Sequence, residues 1–399
     1  MDNGSADGTV PWLRELVKAR NNYFLIENNE NLGFSKGCNQ GIEASRGSHI
    51  LLLNNDTIVT PGWLSGLLEC LHSSPDTGIV GPMTNSISGI QMVPEVGYSD
   101  TSTLDDYALA FRETYRGRRI PLRRIVGYCM IFRRELVERI GLLDEQFGSG
   151  NFEDDDYCLR AALAGYRNLV AGDVFIHHYG SATFRGNGIN FGSAMPGNHG
   201  RFNSKWNGPF KDEALAKQVL TLKTLEKAEI FFHKGEPDKG IETILQEGIK
   251  LIPAEERFYF FLAEKLIEEK RYQDALGVLG ELPSKRQQDR IALLNAYIQE
   301  GLGDIPAART ALAEIGENLP CNASMNNLLG VLAYHDGDKE DAIQHFHAAT
   351  QHDPGFPESY TNLGVLAWSD ERYPEAAELL ARGFLLGPTI PDCAERFHA

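Results

Sequence analysis

The chain has 399 residues, a length that suggests two or three domains. Its 55 acidic and 38 basic side chains give a formal net charge of −17, which argues against a nucleic-acid-binding surface because neutralising phosphates takes clustered Lys and Arg. Hydrophobic residues make up 42 %, enough for a buried core, and no apolar run approaches the roughly 20 residues that a membrane-spanning helix needs.

The first residues and the cysteines both bear on the cellular compartment. The start, MDNGSADGTV, has neither the basic region nor the apolar region of a signal peptide. The six cysteines lie far apart and form no C-x-x-C pair. We therefore expect reduced thiols in a cytoplasmic protein, with any association with the inner membrane being peripheral.

In residues 1–205, short apolar runs alternate with helical patterns. The pattern predicts strands at 23–28, 49–56, 77–83, 127–134 and 167–180, and helices at 9–20, 35–46, 61–73, 134–141 and 154–165. This alternation indicates an α/β layer fold with a mixed, mainly parallel sheet. Because ligands bind at the carboxyl ends of such strands, Asp2, Asp56 and His177 are the residues to examine first.

Helical periodicity with internal repeats characterises the second half of the chain. Gly303-Asp304 recurs 34 residues later as Gly337-Asp338, and further pairs and triplets recur at the same spacing: Ala308/Ala342/Ala376, Pro320/Pro354/Pro388, Gly330/Gly364 and Ala333/Ala367. A 34-residue period with small residues at helix contacts and Pro after the second helix resembles the tetratricopeptide repeat. We expect about five repeats, enough for a stacked core.

Asn54, Asn55 and Asp56 end a predicted buried strand. A carboxylate at this position can hold Mg²⁺ or Mn²⁺, which complete their shells with water and substrate phosphates. Taken alone, such a motif is more often a turn or a helix cap than a metal site.

The acidic run Glu153–Asp156 falls in the first turn of a predicted helix. Such residues can simply offset the helix dipole. The functional interpretation is that one of them removes a proton from an attacking hydroxyl, since four crowded carboxylates should raise at least one pKa.

His177 and His178 end an apolar run. In an extended strand they point to opposite faces, so only one can face a cleft. A lone His is either a polar residue with satisfied hydrogen bonds or a metal ligand.

Together these features resemble the inverting glycosyltransferases of family two, which have the GT-A fold, and bacterial rhamnosyltransferase-type members in particular. The matching stretches cover most of residues 2–184: DNGSADGT (2–9), ENLGFSKGCNQGIEASRG (30–47), ILLLNNDTIVTPGWL (50–64), GYCMIFRRELVERIGLLDEQFG (127–148) and NFEDDDYCLRAALAGYRNLVAGDVFIHHYGSATF (151–184). The resemblance implies a GT-A domain at 1–205, a linker at 206–222, repeats at 223–390 and a tail at 391–399.

The resemblance also assigns roles to single residues. Asp154 matches the general base, with Glu153 in support, and Asp56 matches the metal- and diphosphate-binding member of the D-x-D motif. His177, and less closely His178, match the late His that completes the metal shell. The remaining positions expected to bind the nucleotide sugar are Asp2, Asn31, Gly33, Lys36, Asn39, Asn54 and Asn55.

The reaction implied is one direct displacement with inversion. A nucleotide-diphosphate sugar would bind through its diphosphate to Mg²⁺ or Mn²⁺, and a glycan or protein hydroxyl would attack the anomeric carbon. The repeats would offer a groove for a protein partner. A nucleotidyltransferase shares the α/β fold and the metal Asp but would release pyrophosphate.

Two departures from the family pattern support the alternative of a non-catalytic repeat scaffold. Asn54 and Asn55 replace acids, and the strand, helix and strand that normally precede D-N-G-S do not precede Asp2. Either the start codon is misassigned, or the nucleotide pocket is incomplete and activity is impaired.

Two further segments leave alternatives open. The basic stretch 112–124 could contact an anionic acceptor or be a solvated loop. The Gly- and Asn-rich segment 181–208 could be a lid or a plain linker.

Overall fold

The structure is a computed structural model that describes residues 1–148, 150–180, 191–208, 210, 212–284, 286–315 and 322–387. The chain divides into two compact units. The first, here called the α/β unit, comprises Met1–Arg112 and Arg119–Leu222. The second, the repeat unit, comprises Glu113–Arg118 and the chain from Lys223 onward.

The described strands all lie in the α/β unit. They are β1 (Asp2–Asn3), β2 (Glu27–Asn28), β3 (His49–Leu53), β4 (Thr57–Ile58), β5 (Thr77–Met83), β6 (Arg119–Pro121), β7 (Cys129–Arg133), β8 (Arg167–Phe175) and β9 (His177–His178). The helices of this part of the chain are α1 (Thr9–Ala19), α2 (Phe34–Ala44), α3 (Trp63–Leu71), α4 (Leu104–Thr114), α5 (Arg134–Ile140), α6 (Glu153–Leu163) and α7 (Phe191–Trp206).

The main sheet has five strands in the order β3-β7-β5-β8-β6. Strands β3, β5 and β8 point the same way, whereas β7 and β6 run antiparallel to their neighbours. Two small sheets accompany it, the parallel pair β1-β2 and the antiparallel pair β4-β9. The predicted α/β class with a mixed sheet is therefore confirmed.

The apolar runs found in the sequence form the core of this unit. Every residue of β5 is buried, as are eight of the nine residues of β8, because helices and loops cover both faces of the central strands. Helix α3 packs on the sheet through Leu67, Cys70 and Leu71, which are fully buried. The four cysteines in the described residues, including Cys129 and Cys158, are free thiols.

The stretch 206–222, which the sequence analysis assigns to a linker, includes the start of a helix. Helix α8 begins at Glu213 and runs to His233. Its Val219 packs with Phe202 and Trp206 of α7 against Phe147 and Leu159, which are buried. These apolar contacts cover α7 and the start of α8, so this stretch belongs to the α/β unit up to Leu222.

The repeat unit consists of antiparallel helix pairs in the part of the chain that the structure describes. After α8 come α9 (Pro237–Thr243, continued by a π-helical stretch Ile244–Ile249), α10 (Glu256–Glu268), α11 (Tyr272–Gly280), α12 (Gln288–Gly301), α13 (Ile305–Ala313), α14 (Ala323–His335), α15 (Lys339–His352), α16 (Pro357–Ser369) and α17 (Tyr373–Leu386). The predicted helical repeat fold is confirmed. Pro320, Pro388, Cys321 and the tail at 391–399 lie outside the described residues.

Several of the residues that recur every 34 positions lie where the helices of a pair touch. Ala308, Ala342 and Ala376 are completely buried. A Cβ at Gly330 would come within 2.6 Å of Phe346, and one at Gly364 within 2.8 Å of Leu380. The small side chains are therefore required by the close approach of the paired helices. Among the described residues, no helix is both long and apolar enough to cross a bilayer.

Candidate functional site

The site is built at one edge of the main sheet, where β3 ends and β7 begins. Because these strands are antiparallel neighbours, the segment Asn54–Asp56 after β3 lies beside Gly127-Tyr128 before β7. The Asn54 amide donates to the Tyr128 carbonyl at 2.8 Å, which continues the ladder beyond the strands. The chain then turns, and the Thr57 hydroxyl donates to the Asn54 carbonyl at 2.8 Å.

Asp56 and His178 face each other at this edge. The Oδ1 atom of Asp56 lies 3.3 Å from Nε2 of His178, and both side chains are largely buried. Their backbones pair as well, since β4 and β9 form a two-stranded sheet and the Tyr179 amide donates to the Asp56 carbonyl at 2.9 Å. Burial lowers the pKa of His178, but its contacts with Asp56 and Ser86 outweigh that effect and raise the pKa above its usual value.

The segment after β5 fixes the orientation of His178. The Nδ1 atom of His178 lies 2.8 Å from the Ser86 carbonyl oxygen. Because that oxygen can only accept a hydrogen bond, Nδ1 carries a proton, and Nε2 is the nitrogen that faces Asp56. The Asn85 amide group accepts from the His178 amide at 2.8 Å and donates to its carbonyl at 3.2 Å, as a neighbouring strand would. The imidazole also stacks on the Tyr128 ring with centroids 5.0 Å apart.

His177 points away from Asp56. Its Nδ1 lies 2.6 Å from the Tyr98 hydroxyl, and its ring meets Tyr179 edge-on. The sequence pattern predicts that only one of the two histidines faces the cleft, and the resemblance favours His177 over His178 as the late His. In the structure His178 is the one that lies beside Asp56, because alternation along β9 carries the His177 side chain to the other side.

Asp154 is held against the segment that directly precedes β7. Its Oδ2 accepts from the Gly127 amide at 2.9 Å, and its Oδ1 accepts from the Asp155 amide at 2.9 Å. A Cβ on Gly127 would lie only 3.3 Å from the Asp154 Cβ, so the glycine permits this close approach. The carboxylate is buried yet anchored by the backbone.

Glu153 carries the pKa shift that the crowded acids predicted. Burial raises its pKa well above the usual value, and repulsion from Asp154 adds to the shift. The other two acids have structural partners. Asp155 lies 3.1 Å from Arg124, and the fully buried Asp156 accepts from Arg160 at 2.8 Å.

A strained loop leads into the acidic helix. Asn151 and Phe152 both have positive φ, 78° and 75°, which is unusual for residues with side chains. The loop is held from α7, where the buried Asn198 amide donates to the carbonyls of Phe147 at 2.7 Å and Gly150 at 2.8 Å. Asn198 also donates to the Asn151 carbonyl at 3.2 Å.

Asp2 and Asn3 hold the loop that follows β1 and the loop that precedes α2 through hydrogen bonds. The Asp2 carboxylate is buried and accepts from the amides of Gly4 and Ser5 at 3.1 and 3.0 Å. Burial raises its pKa, but the hydrogen bonds from Ser5 and Gly4 lower it by more, so the net shift is downward. Asn3 was not predicted from the sequence, yet its Oδ1 accepts from the Leu32 amide at 3.1 Å.

The remaining predicted nucleotide-binding residues lie along the segment that enters α2. Asn31 accepts from Asn3 and from the Gly33 amide, each at 2.9 Å. Gly33 has a φ of 92°, and a Cβ there would lie 2.3 Å from the Gly148 carbonyl oxygen. Lys36 is exposed in the first turn of α2. Asn39 is buried and uses its amide group in two hydrogen bonds to the Leu143 backbone.

Some charged residues of the basic stretch have structural roles. Arg119 forms a 2.7 Å ion pair with the buried Asp173, and Arg124 lies against Asp155 as described. Of the predicted lid or linker, residues 181–190 lie outside the described residues, whereas 191–206 is helix α7. Its Trp206 indole donates to Asp156 at 2.7 Å.

The dipeptide Gly127-Tyr128 connects the two halves of the site. Gly127 binds Asp154, while Tyr128 binds Asn54 through its carbonyl and stacks on His178 through its ring. Sequence reasoning missed this dipeptide as well as Asn85, Ser86 and Asn198. A signal was available for the dipeptide alone, since GYC opens the apolar run at 127–134.

No cluster of three or more His, Cys, Asp or Glu residues able to hold a metal occurs among the described residues. Asp56 and His178 supply two donor atoms. Their 3.3 Å separation and the proton fixed on Nδ1 are compatible with two ligands of one cation. The residues therefore fit a cation that takes its other ligands from water and substrate.

Parts of both units match the models of known families. The model of glycosyl transferase family 2 matches residues 1–141, and the tetratricopeptide repeat model matches residues 293–355 and 337–384. Most of the α/β unit is thus similar to family 2 glycosyl transferases, and the later helices of the repeat unit are similar to tetratricopeptide repeats. The matched region ends before Glu153, Asp154 and His178.

Curated relatives share part of the chain. Glycosyltransferase AglE of Haloferax volcanii is 28 % identical over 182 residues, covering 45 % of this chain and 55 % of the relative. The uncharacterized protein y4gI of Sinorhizobium fredii is 25 % identical over 191 residues, covering 46 % of this chain and 21 % of the relative. This chain therefore spans from about a fifth to just over half of the length of these two relatives.

Solved structures match part of this chain. A thermophilic TPR protein of Thermus thermophilus matches 44 % of this chain and 96 % of its own, with 17 % identity and a TM-score of 0.36.

Proposed function

We propose that this protein is a metal-dependent inverting glycosyltransferase that moves a sugar from a nucleotide-diphosphate donor to a hydroxyl of a glycan or protein acceptor. The observation that carries the proposal is the dipeptide Gly127-Tyr128, which contacts Asp154 on one side and the Asp56–His178 pair on the other. A donor and an acceptor held between these groups would meet a base and a diphosphate site at one sheet edge.

Asp56 and His178 are the residues that would hold Mg²⁺ or Mn²⁺. When bound, the cation would offset negative charge on the leaving diphosphate as a Lewis acid. The Ser86 carbonyl would keep Nε2 of His178 directed at the site, and Tyr128 would keep the ring from turning.

Asp154 would take the proton from the acceptor hydroxyl as that oxygen attacks the anomeric carbon from the face opposite the diphosphate. The Gly127 amide holds its Oδ2, which fixes the direction of the carboxylate. Glu153, whose pKa is raised, would keep its proton to a higher pH and so limit the negative charge beside Asp154.

The other parts of the proposal concern the surroundings of this reaction. The buried Asp2 and the loop that Asn3, Asn31 and Gly33 organise would bind the nucleotide, with Lys36 exposed nearby in α2. Asn54 and Asn55 would contact the diphosphate. We further propose a protein partner for the repeats, a rhamnosyl- or hexosyl-type donor, a role in making cell-surface polysaccharide, and a place in the cytoplasm or at the inner membrane surface.

The test combines binding with turnover. Purified full-length protein is titrated with a panel of nucleotide sugars in the presence of Mn²⁺, and release of nucleoside diphosphate is followed. We expect Asp154→Asn to lower turnover by at least about 100-fold while the affinity for the nucleotide stays unchanged. Asp155→Asn, which alters a neighbouring ion-paired acid, is the matched control.

Two results would count against the proposal. Release of pyrophosphate in place of a nucleoside diphosphate would indicate a nucleotidyltransferase. Failure of the wild-type protein to bind any nucleotide sugar in the panel would favour the repeat scaffold without catalysis.

A further inference from the structure

Two histidines meet at the end of β3 that is remote from the candidate site. His49 is the first residue of β3, and His72 directly follows α3. Their Nε2 atoms lie 2.9 Å apart, and their ring centroids are 5.0 Å apart. Because a five-residue strand spans about 16 Å and Asp56 follows the other end of β3, this pair is separate from the site described above.

The short distance between the two nitrogens requires something that both can bind. Two imidazole nitrogens that both lack a proton repel each other, so at 2.9 Å they share either a proton or a cation. Ser48 favours the form that binds a cation, since its hydroxyl lies 3.0 Å from Nδ1 of His49 and can accept a hydrogen bond from that nitrogen. With the ring proton on Nδ1, the Nε2 atom of His49 is a metal ligand.

The separation also indicates which kind of cation fits. Metal–imidazole bonds are about 2.0–2.1 Å long. Two nitrogens bound to one cation are therefore about 2.9 Å apart at a right angle and about 3.3–3.4 Å apart at the tetrahedral angle. The observed 2.9 Å matches the right angle of tetragonal Cu²⁺ and Ni²⁺. Of these two cations, Cu²⁺ binds nitrogen ligands more tightly.

The charge state and the exposure of the rings suit metal binding. Burial lowers the pKa of His49, and the neighbouring His72 and Arg133 lower it further. The His49 ring is therefore neutral at neutral pH, which is the form that binds a metal. His72 is exposed, so a cation can approach from solvent and keep water molecules as its other ligands.

Arg133 is a nearby charge that opposes a cation. Its guanidinium donates to the carbonyls of Leu71 at 2.7 Å and Thr77 at 2.9 Å, which offsets part of that charge. The negative end of the α3 dipole, beside His72, acts in favour of a cation. Binding therefore depends on the two nitrogens, and Mg²⁺ or Mn²⁺, which prefer oxygen ligands, gain too little at this position.

We propose that His49 and His72 form a binding site for a transition-metal dication, with Cu²⁺ as the tightest binder and water as the other ligands. The cation replaces the hydrogen bond between the two rings and links the start of β3 to the end of α3. This inference is independent of the proposed function, because neither histidine belongs to the candidate site.

The experiment measures copper binding directly. Full-length protein is saturated with Mg²⁺, Cu²⁺ is added up to one equivalent, and its affinity is measured by titration calorimetry. Pulsed electron paramagnetic resonance then counts the imidazole nitrogens on the bound Cu²⁺, and we expect two in the wild-type protein. His72→Asn should leave one and weaken binding at least about tenfold, because the second imidazole of the chelate is lost.

Matched variants separate this pair from other histidines. His352→Asn removes an exposed histidine at the end of α15 and should leave the affinity and the spectrum unchanged. His49→Asn provides a second variant if His72→Asn does not fold. The double variant should bind Cu²⁺ about as weakly as either single variant, because each substitution alone already breaks the chelate.

Three outcomes would overturn the inference. The first is an equal affinity for Cu²⁺ in His72→Asn and the wild-type protein. The second is a single imidazole nitrogen, or none, on the Cu²⁺ bound to the wild-type protein. The third is an equal loss of affinity in His352→Asn, which would mean that Cu²⁺ binds exposed histidines in general. Loss of the two-nitrogen signal in His72→Asn but not in His352→Asn would support the site.

Discussion

The two units of this chain use buried polar and small residues for different purposes. In the repeat unit, Ala308, Ala342 and Ala376 recur because each repeat forms the same close contact between its two helices. In the α/β unit, Asp154, Asn198 and His178 are also buried, but each makes a different set of contacts. The repeated burial of alanine reflects one kind of helix packing, whereas these three buried polar groups lie in or beside the candidate site.

Backbone strain differs in the same way. In the repeat unit, Glu371 and Lys270 have positive φ at helix ends, and Gly337 and Gly303 have positive φ at corresponding turns. Those positions favour glycine, so the strain there belongs to a common turn. The consecutive strained residues Asn151 and Phe152 instead precede Glu153, and Asn198 holds them in place.

The largest expected effect comes from releasing the strained loop. Asn198→Ala removes the donor to three backbone carbonyls and should lower turnover about 100-fold, because a shift of the acidic helix misplaces Asp154. Steady-state kinetics should show the loss in kcat, with the donor KM unchanged.

Asn203→Ala, on the same helix with a surface hydrogen bond to His199, is the matched control. Equal losses in kcat for the two variants, or a loss of donor affinity in Asn198→Ala, would mean that α7 supports the fold generally and does not position the acids.

The second-largest expected effect concerns Glu358, a partly buried acid of the repeat unit. Burial raises the pKa of Glu358 to about 7, and repulsion from Glu268 and Asp353 acts in the same direction. The folded state thus holds a proton that the unfolded chain releases near pH 4.5. The stability that the protonated Glu358 gives the folded state is fully present below about pH 4.5, and it is lost as the pH rises through about 7.

Glu358→Gln keeps the shape of the side chain and removes this titration. Relative to the variant, the wild-type protein should lose unfolding free energy on the order of 2–3 kcal/mol between pH 5 and 8. Thermal unfolding of the full chain across this range checks it, with Glu375→Gln, an exposed acid, as control. A constant difference between Glu358→Gln and wild type at all pH values would contradict it.

The smallest expected effect tests the interpretation of strain in the repeats. Glu371→Gly should stabilise the repeat unit by about 0.5–1 kcal/mol because its φ of 61° costs a residue with a side chain more than glycine. Gly337→Ala, 34 residues earlier at a φ of 84°, should destabilise it by a similar amount. Calorimetry should show opposite shifts of about 2 °C, and shifts of the same sign would refute the equivalence of the two turns.

The sequence predicted periodic features well and contacts between distant residues poorly. The repeat period and the strands around β3, β5 and β7 follow from local patterns of apolar and small residues, which one element determines largely by itself. The pairing of Asp56 with His178 and not His177 depends on how β9 meets β4, and no single segment encodes that. Asn198 was missed for the same reason, since its partners lie about 50 residues earlier.

The acidic helix α6 could be predicted from the sequence in some respects and not in others. Its start at Glu153 and the raised pKa of one acid could be predicted from the crowding of charges. Which of the acids form ion pairs could be predicted only in part. Asp156 pairs with Arg160 four residues later on the same helix, whereas Asp155 pairs with Arg124, which only the folded chain brings close.

The tight approach of Gly33 to the Gly148 carbonyl joins two loops that lie far apart in the sequence of the α/β unit. That carbonyl also accepts from the Phe34 amide at 2.9 Å, so the entry to α2 and the loop before α6 share one hydrogen bond. A ligand that orders the first loop would restrain the second through this bond. In the proposed function, a bound nucleotide would thereby set the position of the acids before an acceptor arrives, and donor and acceptor would bind in that order without a separate moving domain.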